Sequence, residues 1–331
     1  MIRAIVPWLV AFALTSLAVA AVGESPTLVF KVLLASAFGG VDNISATLYY
    51  ATPLLFTGTA VCLALEAGLF NIGAEGQLYM GALFAASWGI LTRNSTYSTT
   101  AAAGIVFLGI AFSFLGGALW GGLAGYLRVK RKTHEVIVTI LLNFIAAAIV
   151  NWAVLNPLKN TETQALETLW IHEAVRLPKL WAQATYGFPL AVLTAALVLF
   201  TVRKTWWGFR VRATGKNHVA AEVEGMSPAK HQWAAFTISG GIAGMVGFNE
   251  VFANSHRLLD GFSPGFGFTG LAIALLSRGN FIALVAACIL FGALYKGSLD
   301  LDLETEKVTR DLSAVIQALV LLALALRGRK K

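Results

Sequence analysis

Leu65–Met80 reads LEAGLFNIGAEGQLYM. It lies between two apolar runs, Ile44–Leu65 and Leu78–Leu91, and sets Glu66, Asn71, Glu75 and Gln77 among Gly68, Gly73 and Gly76. Hydrocarbon satisfies neither an open backbone nor a carboxylate. A membrane helix broken by such residues therefore persists only against protein or beside a water-filled path. Transporters often set their polar contacts at discontinuous helices of this kind. The plainer alternative is a short aqueous loop closed by a helix cap.

Working outward, the composition decides for a membrane setting. The chain is 57% hydrophobic and 13% charged, with mean hydropathy +0.72, whereas soluble domains carry about a quarter of their residues charged. Apolar runs near the roughly 20-residue spanning length recur from end to end, which predicts an all-α polytopic membrane protein. No charged or Pro-rich linker divides residues 1–331, so a single transmembrane domain is expected. Candidate spans are Ile5–Val22, Ile44–Leu65, Leu78–Leu91, Ala101–Tyr126, Val136–Leu155, Phe188–Val202, Trp233–Phe252, Phe266–Leu276, Phe281–Leu294 and Leu312–Leu326, about ten in all. Val32–Gly40 is too short to span and reads as an interfacial helix. Gly117, Gly121 and Gly125, like Gly240 and Gly244, repeat every four residues, a spacing that lets helix backbones approach closely in lipid.

The net charge of +8 does not point to nucleic acid, because the basic residues sit in three clusters at the ends of spans. These are Arg128–Lys132, the stretch from Arg203 to Lys230, and Arg327–Lys331. Counted from a cytoplasmic N-terminus bearing Arg3, all three fall on the cytoplasmic side, with both termini. Glu24–Asn43, Asn156–Gly187 and the acidic Ser298–Arg310 then lie outside. The first span resembles a signal peptide in its Arg3, its apolar run and Ala18-Val19-Ala20, but losing it would upset this count, so retention is expected.

Several motifs fail for want of context. Gly265-Phe266-Gly267-Phe268-Thr269-Gly270 fits G-x-G-x-x-G, yet no strand precedes it. There is no phosphate-binding G-x-x-x-x-G-K-[ST], so ATP is not bound here by that device. The five histidines lack ligand spacing, and no metal site is predicted. Cys62 and Cys288 fall in apolar runs and read as small buried hydrophobes, with no disulfide framework. Asn43-Ile44-Ser45 and Asn94-Ser95-Thr96 are chance matches to a glycosylation acceptor.

The longest basic stretch has a pattern of its own. Within loop 203–231, Asn217 is a good N-cap, Val219, Ala220, Val223 and Met226 share a helical face, and Gly225 can end the helix. A short amphipathic helix over about 213–226 suits either docking into a groove on a cytoplasmic partner or lying on lipid headgroups.

GLFNIGAEGQ, KTHEVIVTILLNFIA (Lys132–Ala146) and GFRVRATGKNHVAAEVEGM (Gly208–Met226), in that order, resemble the permease subunits of bacterial ABC importers. The group is the ribose and branched-chain amino acid permease superfamily, and within it the nucleoside permeases. The likeness implies a type II-like permease fold with a broken helix near 66–77, set in the bacterial inner membrane. It implies ABC ATPase subunits carrying ATP and Mg, a second permease (a related nonidentical partner or a second copy) and an extracytoplasmic binding protein, the last meeting outer loop 156–187. No cofactor is implied for this chain, and no enzymatic activity. By resemblance, the coupling to the ATPase falls on Arg212, Ala213, Gly215, Asn217, Ala220, Ala221 and Gly225. The helix break would rest on Gly73 and Gly76.

A nucleoside offers hydroxyl and base-edge groups that uncharged amides can match. Asn71, Gln77 and Asn143 are therefore expected to line its path, with Glu75 either joining them or bracing the broken helix through backbone N–H groups. A sugar or branched-chain amino acid remains an alternative solute. An ion-coupled transporter would instead use Glu66 and Glu75 as ion sites, and an intramembrane enzyme would need a catalytic cluster that is not found.

Overall fold

The break falls between α3 (Val41–Glu66) and α4 (Ala74–Leu91). The computed structural model describes residues 2–93, 98–305, 314–319 and 322, with side chains from residue 9 onward. The C-terminal basic cluster, Asn94-Ser95-Thr96 and most of Leu312–Leu326 lie outside the described residues. Ahead of α3 come α1 (Ile2–Ala21) and α2 (Pro26–Phe38); after α4 come α5 (Thr99–Arg131) and α6 (Glu135–Leu155). A small hairpin, β1 (Lys179–Trp181) with β2 (Ala184–Thr185), precedes α7 (Gly187–Lys204), α8 (Trp206–Lys216), α9 (His218–Val223) and α10 (Pro228–Phe248). A π-helical turn, Asn249–Asn254, leads on to α11 (Phe266–Ser277) and α12 (Phe281–Glu304).

Five helices, α3, α5, α6, α7 and α12, are long and apolar enough to cross a membrane, and α1 with α2 makes up to six if that pair, bent by 117°, counts as one span. The sequence count of about ten also draws on α4, α10 and α11. These are more polar or shorter; α4 and α10 pack mostly against neighbouring helices, while α11 keeps Phe268 and Leu275 half exposed. A Cβ on Gly121 of α5 would come within 2.7 Å of the Phe236 carbonyl and 2.9 Å of Gly240 Cα, so α5 and α10 touch backbone to backbone. The Ser113 hydroxyl locks the same seam, donating to Gly244 O at 2.6 Å and accepting from Phe248 N at 2.8 Å. The glycine rows thus do what their spacing predicts.

Two boundaries differ from the sequence reading. α2 starts at Pro26, with that residue in its first turn, and packs on α12 near Leu33 and Gly297; more than an interfacial helix, it is a wall of the bundle. α12 runs on through Ser298–Glu304, which had been assigned to an outer loop. Lys296 there neutralises Asp300, one turn on, at 2.6 Å.

Loop 156–187 folds back on the π-helical turn and the segment after it. Thr168 N donates to Leu258 O at 2.9 Å, Ile171 N to His256 O at 3.0 Å and Leu177 N to Phe252 O at 2.7 Å. Glu167 pairs with Arg257 at 2.9 Å, and the Arg257 guanidinium lies 4.0 Å from the centre of the Trp170 ring. Beside them, burial and the charges of Arg176 and Lys179 hold His256 below the usual histidine range.

Candidate functional site

The polar side chains of the break are closed into the protein, while Gly68 and Phe70 stay exposed. Asn71 and Gln77 are buried and join amide to amide: Asn71 Nδ2 donates to Gln77 Oε1 at 2.8 Å, and Gln77 Nε2 returns to Asn71 Oδ1 at 3.0 Å. Asn71 also donates to Ser239 Oγ at 2.9 Å, and Ser239 passes a bond to Ala60 O at 2.6 Å, tying α10 to α3. Asn143, buried on α6, accepts from Gly76 N at 2.8 Å and donates to Ile72 O at 3.0 Å. Its one side chain thereby satisfies an orphan N–H of the first turn of α4 and a carbonyl of the break. Glu75 Oε2 accepts from Gly267 N at 2.7 Å, in the first turn of α11, where a negative charge is favoured.

These placements revise the sequence reading. Asn71, Gln77 and Asn143 come together at the break as expected, but their polar atoms are spent on protein partners, and none of them lines the cleft described below. Of the two roles open to Glu75, bracing is the one observed, and the helix it braces is α11. Gly73 and Gly76 have a different task from bending the chain. Gly73 keeps an ordinary φ of −78°, and a Cβ there would meet the Thr139 side chain at 3.0 Å. One on Gly76 would meet Asn143 Oδ1 at 2.8 Å. Both are kept small by α6. The bend itself rests on Gly68, whose φ of +74° is a left-handed conformation that glycine adopts without strain.

Gly68 links the break to α8. A Cβ on Gly68 would lie 2.9 Å from Gly215 O, and one on Gly215 would lie 2.7 Å from Gly68 N and collide with Glu66 O. The helix read over 213–226 is in fact two. Asn217 is extended at φ −153° and ψ 102°, which ends α8, and its side chain accepts from Ala220 N at 3.0 Å to start α9. The predicted cap is present, and so is the Gly225 stop, at φ +74°. Arg212, Ala213 and Gly215 belong to α8, where the Arg212 guanidinium donates to Val202 O. On α9, Val219 and Val223 are 70% and 81% exposed, and Ala220 is exposed too. Ala221 faces inward, 3% exposed.

An open, partly polar feature lies elsewhere. A cleft of about 460 Å³ lies between α3, the π-helical turn, the segment leading into α11, and α12. Tyr49, Tyr50, Phe262, Phe266 and Tyr295 furnish aromatic walls, and Glu250 and Asn254 are among its polar lining. The walls are mutually set: Tyr50 and Tyr295 stack with centroids 6.2 Å apart, and Phe266 meets Tyr295 edge-on at 5.6 Å. The Tyr295 hydroxyl lies 3.0 Å from Thr269 Oγ1. A second hollow of about 370 Å³, lined by Lys179, Gln183 and Thr185, shares Tyr49, Tyr50 and Asn254 with the first. The two hollows, the larger termed the chamber and the smaller the antechamber, share that wall. Glu75 connects this region to the break, since the residue before its partner Gly267 is Phe266.

None of these cleft residues stands out in the sequence except one. Glu250 is a carboxylate inside the apolar run Trp233–Phe252, with Asn254 one turn on, and an ionisable group in a span is by default a functional candidate. The aromatics are ordinary residues near helix ends, and only the fold assembles them.

Residues 43–325 match the family model described as the branched-chain amino acid transport system / permease component. The chain belongs to that family. Permeases similar to it include a guanosine ABC transporter permease of Bacillus subtilis, 32% identical over 86% of this chain and 81% of that one. A glucose ABC transporter permease of Haloferax volcanii is 31% identical over 96% and 84%. A nucleoside ABC transporter permease of Lactococcus lactis is 28% identical over 87% and 80%. The resemblance read from the three sequence stretches therefore holds: this is a multi-pass membrane permease of the ABC transporter class, a transport component and not in itself an enzyme.

Proposed function

We propose that this permease forms the path for a neutral, hydroxyl-bearing solute, a nucleoside first, with the aromatic cleft as its station in the membrane. The observation that carries the reading is the cleft: its volume lies within the usual range for small-ligand sites, and flat aromatic faces alternate with acceptors. The similarity to guanosine and nucleoside permeases supports a nucleoside; the similarity to a glucose permease supports a hexose as the second reading, since a sugar also stacks and donates hydroxyls. An amino acid fits less well. Its carboxylate would seek a cation, and among the described residues none that lines the cleft is basic.

In this account the chain sits in the bacterial inner membrane with about ten spans, both termini in the cytoplasm and loop 156–187 outside, facing a binding protein. A second permease, related or identical, completes the pathway. ATP and Mg are held by ABC ATPase subunits, and this chain needs no cofactor. The exposed Val219, Ala220 and Val223 of α9 dock into the ATPase. Its stroke reaches the break through Gly215 and Gly68, and reaches the cleft through Glu75, Gly267 and Phe266.

The test is uptake by the assembled importer in proteoliposomes supplied with guanosine or glucose. ATP-driven guanosine uptake is expected, and its loss in Val223→Asp, with insertion of the permease unchanged, locates the coupling at α9. Uptake of neither solute, or full uptake by the variant, contradicts the respective half of the reading.

A further inference from the structure

Glu250 and Asn254 occupy one π-helical turn, a local insertion often retained where a helix has a functional task. Both border the chamber, and Asn254 borders the antechamber as well. Asn254 Nδ2 donates to Glu250 Oε2 at 3.2 Å, and the Ser255 hydroxyl donates to Glu250 Oε1. A carboxylate accepts hydrogen bonds, so it turns the amide group of Asn254 toward itself with the NH2 leading. The amide oxygen is thereby left over: Asn254 Oδ1 is buried and has no hydrogen-bond partner among the described residues. A buried acceptor without a donor is costly unless something else fills the role.

Glu250 and Asn254 thus set acceptors one helical turn apart, flanked by Tyr49 and Tyr50; among the described residues none that lines the chamber is basic, and Lys179 stands on the antechamber side. The chemical complement of these acceptors is a pair of neighbouring hydroxyl donors on a ring that can lie against an aromatic face.

We propose that Glu250 and Asn254 are the specificity-determining pair of the pathway, accepting hydrogen bonds from the vicinal hydroxyl groups of the solute. On the nucleoside reading, on which this inference rests, those groups are the ribosyl 2′- and 3′-hydroxyls. The carboxylate supplies the stronger acceptor and Asn254 Oδ1 the second.

The assembled importer in proteoliposomes tests this with guanosine and 2′,3′-dideoxyguanosine as paired solutes, at saturating binding protein. The binding protein is the same for every variant, so a change in the ratio of the two uptake rates belongs to the permease. Wild type is expected to favour guanosine. Glu250→Gln and Asn254→Ala are each expected to lower guanosine uptake about tenfold while dideoxyguanosine uptake falls far less, so that the preference collapses. Asn254→Ala removes the acceptor without adding bulk and carries the test if the charge change at Glu250 prevents folding. Equal loss of both solutes, or an unchanged ratio, overturns the assignment of the pair. A wild type that takes up no guanosine with ATP overturns instead the nucleoside reading beneath it.

Discussion

The break between α3 and α4 and the cleft under Tyr49 and Tyr50 are both polar interruptions of an apolar bundle, and they spend their polar atoms in opposite ways. At the break every amide of Asn71, Gln77 and Asn143 finds a protein partner, with α6, α10 and α11 all bonded to the segment. At the cleft wall, Asn254 keeps a buried acceptor unpaired among the described residues, and the aromatic rings leave a space. Closed networks of this kind rigidify and specify a structure; open ones wait for a ligand. Polar residues in a membrane helix can therefore mark a joint as readily as a passage, and the hydrogen-bond ledger tells the two apart.

The comparison breaks most visibly at Gly215. Gly215→Val is expected to drive α8 off the Gly68 turn and to abolish accumulation of folded protein, read as the monodisperse peak of a fluorescent fusion on size exclusion. A normal peak would mean that the two backbones need not touch. Next is Asn71→Leu, which strands the buried Gln77 amide and should destabilise the fold by about 2–4 kcal/mol. The thermal midpoint of the solubilised protein should fall, while uptake per folded molecule is largely kept. A stable variant that no longer transports would move Asn71 into the solute path and undo the contrast.

Tyr50→Ala should do the reverse of Asn71→Leu. Loss of a stacking face is worth about 1–3 kcal/mol to a base, so guanosine uptake should drop about tenfold or more, with a smaller change in thermal midpoint. The smallest effect is expected at His256. Burial and neighbouring cations lower its pKa in the folded protein below the unfolded value of about 6.5, so the folded state binds the proton less well. Stability contributed by the neutral ring is present above that value and is lost as pH falls through it toward the folded pKa. Comparing thermal midpoints at pH 7.5 and 5.5 should show a modest drop that His256→Asn reduces; an identical drop in the variant would assign it to other groups.

The break is legible in the sequence because carboxamides and glycines in an apolar run have few explanations, and the chain's own hydrogen bonds are one of them. So are the glycine rows that seat α5 on α10, the Asn217 cap and the Gly225 stop, all of which act through spacing along one helix. What sequence spacing does not convey is partnership across the fold. Gly68 and Gly215 are ordinary glycines until the bundle brings them together, and Gly73 is a plausible hinge until Thr139 is found beside it. The cleft draws on residues from Tyr49 to Tyr295, each unremarkable alone. Glu250 is the exception, a carboxylate within a span that the sequence reading passed over, and its orientation of Asn254 depends on the π-helical turn.

The division of labour between joint and cleft is tested most directly by photo-crosslinking the assembled importer with 8-azidoguanosine during ATP-driven turnover and sequencing the labelled peptides. Label on the segments carrying Tyr49, Tyr50, Asn254 or Tyr295, competed away by guanosine, is the predicted result. Label confined to Phe70–Gln77, with the cleft segments unmodified, would place the solute at the break and contradict the account.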